Sequence, residues 1–123
     1  MEENITVNYG NPASCEAHRA IADYLDANFT NPALDMTKLA SEVCLSASYI
    51  SSILKKRGTS FVKYIMAQRI ELAKARLKST ALPIGEIAHE VGFIDSYYFS
   101  RCFKKYAGVS PKTYRRMKQA VQG

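Results

Sequence analysis

The chain has 123 residues, about one domain's worth, and a hydrophobic fraction of 47%, which excludes wholesale disorder. No apolar run approaches the roughly 18 residues that span a bilayer, and the N-terminus has no basic-then-apolar signal peptide; both point to a cytoplasmic protein. The formal net charge of +6 is unevenly placed, with −5 over residues 1–36 and +11 over residues 37–123. A basic body behind an acidic leading segment suits a polyanionic partner, although net charge alone fits a solvated surface equally well.

In chain order, residues 1–13 are polar, lack a helical period and read as a flexible lead or linker. Ser14 is placed to cap a first helix running to about Asn28, with Ala17, Ile21, Leu25 and Phe29 inward and Thr30-Asn31-Pro32 ending it. Leu34, the cap residue Asp35 and Leu39 form a hydrophobic staple, which fixes the entry angle of the next helix. A further helix is expected from about Ala47 to Arg57, burying Ile50, Ile53 and Leu54 and turning Ser48, Ser51, Ser52 and Lys55 outward. These two elements make a first helix-turn-helix over about residues 35–57.

Ser60 to Lys78 holds no Gly or Pro and predicts one long linker helix capped by Ser60. Phe61, Ile65, Met66, Ile70, Ala73 and Leu77 form its apolar stripe, and Tyr64 and Leu72 widen it to a second face, as expected of a helix that packs on two subdomains. About 19 residues give a rod of about 28 Å, close to the ~34 Å between successive major-groove faces of B-DNA. Ile84, Ile87, Ala88 and Val91 then recur at helical spacing, and Gly92 follows where a left-handed residue is needed. Asp95 or Ser96 caps a second outward-facing helix. Phe99, Cys102, Phe103 and Tyr106 lie on its inner face, with Tyr98 sharing the apolar arc; Tyr97, Ser100, Arg101 and Lys104 lie on its outer face. This is a second helix-turn-helix over about 84–107. Pro111 starts a last helix, where its fixed φ suits the first turn. Residues 119–123 are a tail.

The two halves repeat each other. Leu34, Leu39-Ala40, Glu42-Val43 and Leu45 correspond to Leu82, Ile87-Ala88, Glu90-Val91 and Phe93 at an offset of 48. Tyr49, Ser51, Leu54 and Lys55-Lys56 correspond to Tyr98, Ser100, Phe103 and Lys104-Lys105 at 49, and Gly58, Ser60 and Tyr64 to Gly108, Ser110 and Tyr114 at 50. One departure stands out. Cys44 occupies the place of Gly92, where a side chain strains the turn or changes its geometry.

The stretch Ile84, Ile87-Ala88, Val91-Gly92-Phe93, Asp95, Tyr98-Phe99-Ser100-Arg101, Phe103-Lys104-Lys105, Gly108, Ser110-Pro111 and Tyr114-Arg115 resembles the signature of the AraC/XylS family of bacterial transcription regulators. The wider resemblance runs over residues 14–118. It implies an all-α DNA-binding domain of about seven helices, two helix-turn-helix units joined by the long helix. It also implies sequence-specific double-stranded DNA as partner, transcription activation, RNA polymerase as a second partner, and an effector-sensing or dimerising region that this chain does not contain. Base contacts in that family come from the outward positions of the two recognition helices, which here are Ser48, Ser51, Ser52, Ser96, Tyr97 and Arg101. Arg101 is chemically the sharpest of these, because guanidinium can bond guanine O6 and N7 in parallel, whereas serine specifies little. An ion pair with a neighbouring carboxylate is its competing role. Lys55, Lys56, Ser100, Lys104 and Lys105 are placed for phosphate.

No catalytic set accompanies this pattern. His18 and His89 lack triad partners, and no phosphate loop appears. Cys15, Cys44 and Cys102 match no metal spacing, so no metal or cofactor is expected. An unpaired, odd count fits a reducing compartment, and Cys44 and Cys102 sit at helical apolar positions expected to be buried. The alternative function is a basic helical adaptor for an acidic protein; it predicts an exposed apolar groove, where the sequence instead offers Ser, Lys and Arg. RNA readers display stacking aromatics on strands or clamp loops, and neither is present.

Overall fold

The computed structural model of the protein describes residues 12–122; the expected lead falls outside them except for Pro12 and Ala13, as does Gly123 of the tail. The order is α1 (Pro12–Asn28), α2 (Met36–Val43), α3 (Ala47–Lys56), α4 (Phe61–Ser79), α5 (Ile84–Glu90), α6 (Ser96–Ala107) and α7 (Pro111–Gln122), with no strand among the described residues. They group into two compact units, residues 12–28 with 34–64 and residues 29–33 with 65–122. Two helix ends depart from expectation. α1 starts at Pro12, so Ser14 lies inside its first turn rather than capping it, and α7 continues through the expected tail. Proline suits a helix start because its missing N–H would be unpaired there anyway.

In the first unit, Ile21 and Leu25 of α1 meet Leu39 of α2 and Ile50, Ile53 and Leu54 of α3 in a core where Ile21, Leu25, Leu39, Ile50 and Leu54 are fully buried. Ala17 and Phe29 are only half-buried. The Asp35 carboxylate accepts from the Lys38 N–H at 2.8 Å and Leu34 and Leu39 are both buried, so cap and staple form together. Ser46 caps α3 by accepting from the Tyr49 N–H at 3.1 Å. Within this unit, the Tyr64 hydroxyl donates to Asp26 Oδ1 at 2.8 Å.

The second unit repeats the plan on a larger core of Ile70, Ala73, Leu77, Ile87, Ala88, Val91, Phe93, Phe99 and Phe103. Its aromatic rings run in sequence: Phe93 to Phe99 at 5.2 Å, Phe99 to Phe103 at 5.8 Å, and Phe103 to Tyr114 at 5.4 Å between centroids. Tilted and edge-on pairs of this kind add to simple area burial. Ser60 caps α4 through the Lys63 N–H at 3.2 Å, and Ser110 caps α7 through the Thr113 N–H at 3.2 Å. The C-terminal carbonyls of α4 are closed from α7: Arg115 Nε donates to Leu77 O at 3.3 Å and Arg115 Nη2 to Thr80 O at 3.2 Å. Gln119 donates to the same two oxygens. Arg76 of α4 and Glu90 of α5 form a 2.8 Å ion pair.

Some matching positions of the repeat share their burial, while Val43 and Leu45 are half-buried where Val91 and Phe93 are buried. Leu39 and Ile87 are fully buried, and so are Leu54 and Phe103. The turns differ in chemistry but not in sign. Cys44 has φ 58°, ψ 41°, a left-handed residue with a side chain, while Gly92 has φ 114°. The cysteine is tolerated because its Cβ and thiol point to solvent. That corrects the expectation of a buried Cys44: the left-handed turn takes it off the apolar face of α2. Cys102 is half-buried against the second core, and Cys15 is exposed.

Candidate nucleic-acid interface

The outer face of α3 follows from the burial of the inner one. With Ile50, Ile53 and Leu54 turned into the core, Ser48, Ser51, Ser52, Lys55 and Lys56 are all exposed. The hydroxyls and ammonium groups therefore share the side of the helix opposite the core, as the 3.6-residue period requires. No acidic side chain lies in this helix, and Lys55 and Lys56 occupy its last turn, where they also suit the helix dipole.

α6 is built the same way. Its N-cap is Asp95, not Ser96: the Asp95 carboxylate accepts from the Tyr97 N–H at 2.9 Å, which leaves the Ser96 hydroxyl free of capping duty at the start of the helix. Phe99 and Phe103 are fully buried, and Ser96, Tyr97, Arg101, Lys104 and Lys105 are exposed. Ser100 is half-buried at the edge of this face. Tyr97 is 71% exposed, an aromatic ring held in solvent on the outer side. Among the described residues no hydrogen bond or ion pair engages the Arg101 guanidinium, so its five N–H donors are available to a partner.

Two members of the expected inner face are not inside. Tyr98 is 49% exposed and Tyr106 is 41% exposed. Phe99 and Phe103 fill the core between them, so the two tyrosines flank the helix with their rings on its shoulders. Tyr98 packs its ring 6.1 Å from that of Phe93, and its phenol pKa is raised, first by a hydrogen bond with the Cys102 thiol. The residue that the sequence pattern does not reveal is Arg69. It lies on the inner arc of α4, one turn after Ile65, and is buried. A lone arginine inside an apolar stripe is the signal that marks it.

The arrangement is two short helices, each entered through a tight left-handed turn and each showing a hydroxyl- and cation-bearing face. This is the construction of a major-groove reader. A family profile described as a helix-turn-helix domain matches residues 39–117. The arabinose operon regulatory protein of Escherichia coli K12 is 41% identical over 102 residues, which cover 81% of this chain and 33% of that protein. The chain belongs to the AraC family of transcription regulators.

Solved structures agree with the assignment. The C-terminal domain of AraT, a response regulator from Geobacillus stearothermophilus, is 39% identical with a TM-score of 0.77, covering 82% of this chain and 84% of that one. The DNA-binding domain of AdpA, solved in complex with a target DNA, shares the fold at a TM-score of 0.76 and 20% identity, over 85% and 94% of the two chains. This AraC-type domain binds double-stranded DNA sequence-specifically; an adaptor for acidic proteins finds no support. The chain spans about a third of the length of curated relatives such as the arabinose operon regulator. No helix among the described residues is long and apolar enough to cross a membrane.

Proposed function

We propose that the domain serves a cytoplasmic transcription activator and reads two adjacent major-groove segments with α3 and α6, over a DNA-binding region of residues 14–118. Ser48, Ser51 and Ser52 on α3, and Ser96, Tyr97 and Arg101 on α6, face the bases. Lys55, Lys56, Ser100, Lys104 and Lys105 neutralise or bond phosphates at the edges of the two helices. RNA polymerase is the second partner of the whole regulator. The supporting observation is the outward, unpaired guanidinium of Arg101 on a helix whose opposite side is locked into the core by Phe99 and Phe103. A bidentate bond to guanine is worth about 1–3 kcal/mol of discrimination, whereas serine hydroxyls bond several base edges and discriminate weakly. The second head therefore carries most of the sequence preference, and the first contributes affinity and shape.

The test uses a duplex site recovered from a random library and its single-base variants. Arg101→Ala should abolish discrimination at one or two base pairs by about tenfold or more while affinity for unrelated duplexes changes little, in keeping with a lost 1–3 kcal/mol contact. An equal weakening on every sequence would move Arg101 to the phosphate-binding set and refute its assignment as a base reader.

A further inference from the structure

Among the described residues Arg69 is the only charged side chain that is buried, at 8% exposure. Its Nε donates to the Phe29 carbonyl at 2.6 Å and its Nη2 to the Asn31 carbonyl at 3.1 Å. Its Cζ lies 5.5 Å from the centroid of the Phe93 ring, over the face where a cation is attracted. No carboxylate among the described residues pairs with it. Burying the charge without a carboxylate partner is costly, and the two carbonyl bonds and the Phe93 ring offset that cost. What the guanidinium adds is a rigid planar fork that bonds and stacks in fixed directions.

Those directions all lead to the turn that delivers α6. Gly92 carries no side chain against the guanidinium: a Cβ there would stand 2.7 Å from Arg69 Nε and 2.9 Å from the Phe29 oxygen. Phe93, stacked on Arg69, lies two residues before the N-cap of α6 and passes the contact to Phe99 in the core face of that helix. The repeat supplies an internal comparison. At the equivalent turn of the first unit, Cys44 adopts a left-handed conformation with its thiol exposed, and the arginines described in that unit, Arg19 and Arg57, are exposed rather than buried like Arg69. The turn itself thus forms without such a strut, and Arg69 is an addition to the second head alone.

We propose that Arg69 is a positioning residue for the second reading head: it wedges the Gly92-Phe93 turn against the 29–33 segment and so sets the pose in which α6 presents Tyr97 and Arg101. This inference rests on α6 being a base-reading helix. It assigns Arg69 no contact with DNA. The consequence is a division of labour in which Arg101 reads and Arg69 holds the reader still; a misplaced fork loses its second hydrogen bond before it loses its charge.

Arg69→Lys keeps the charge but loses the fork and the planar stack. The recess of about 340 Å³ beside Pro32, Ile94 and Tyr98 lets water reach the shorter ammonium head, so the variant is expected to fold. Phe93→Leu removes the ring face and keeps apolar bulk, which provides a second route should Arg69→Lys unfold. With the base pairs read by α6 first assigned through Arg101→Ala, either variant should lower discrimination at those pairs at least fivefold and leave discrimination at the α3-read pairs unchanged. In the DNA-free protein, amide resonances of residues 95–101 should shift while those of α3 stay in place. Equal loss at both sets of base pairs, or a lower unfolding midpoint with discrimination intact, would show Arg69 to be a general stabiliser and overturn the proposal. Were the wild-type domain to show no sequence preference, the base-reading assignment would fail by itself. The spectra would still judge the strut, because unmoved α6 resonances overturn it.

Discussion

Three positions show how single residues set the local geometry. Cys44 holds φ 58° with an exposed side chain, so it bears the steric strain that glycine avoids and gains no burial in return. Cys44→Gly should stabilise the domain by roughly 0.5–1 kcal/mol, read as a raised urea midpoint; an unchanged or lower midpoint would mean that the turn is unstrained. Gly92 presents the opposite case. A methyl group there meets the Arg69 guanidinium and the Phe29 oxygen while φ stays at 114°, so Gly92→Ala should destabilise by about 2–4 kcal/mol in the same assay. His18 tests electrostatics. Burial, and then the charge of Arg57, hold its pKa below the ordinary value of 6.5. The folded state therefore takes up a proton less readily than the unfolded chain. The stability tied to neutral His18 is complete above pH 6.5 and is lost as pH falls from there through its lower folded pKa. The unfolding midpoint should decline over that window, and His18→Gln should flatten the decline.

Among the elements, α4 depends on its neighbour for a proper end. Arg115 and Gln119 of α7 donate to the Leu77 and Thr80 carbonyls, groups that a helix C-terminus leaves without partners. Arg115→Leu should cost about 1–2 kcal/mol and raise hydrogen exchange in the last turn of α4, because Gln119 satisfies only part of what is lost. This contact joins residues 38 positions apart, and no local pattern announces it. The elements themselves were far more legible. The apolar period placed α3, α4 and α6, and Asp35, Ser60 and Pro111 marked helix starts because the chemistry of a helix N-terminus is local. Local rules failed where tertiary packing chose among near-equals. Tyr98 and Tyr106 stand on the helix shoulders because Phe99 and Phe103 already occupy the core, and Cys44 leaves its helical face through a left-handed turn. Arg69 was hidden for a different reason. An arginine on an apolar arc reads as an interruption until the carbonyls that bind it, from residues 40 and 38 positions away, are in view.

For the molecule as a whole, the basic residues on α3 and α6 predict a strong ionic-strength dependence. Each phosphate contact contributes about 0.9 to the slope of log affinity against log salt, so Lys105→Ala should lower that slope by about one and weaken all duplexes alike. Loss of discrimination without a change of slope would instead make Lys105 a base reader. The burial shared by Leu39 with Ile87 and by Leu54 with Phe103 explains why a duplicated sequence yields two heads, while the serines of α3 and the arginine of α6 make those heads chemically unequal. The most direct test of this account is selection of bound duplexes from a random library at two salt concentrations. Two boxes about one helical turn apart should emerge, with a guanine-containing box the sharper of the two and lost in Arg101→Ala. No enrichment at either salt, with binding abolished at moderate ionic strength, would contradict it and leave only a basic surface without a reading function.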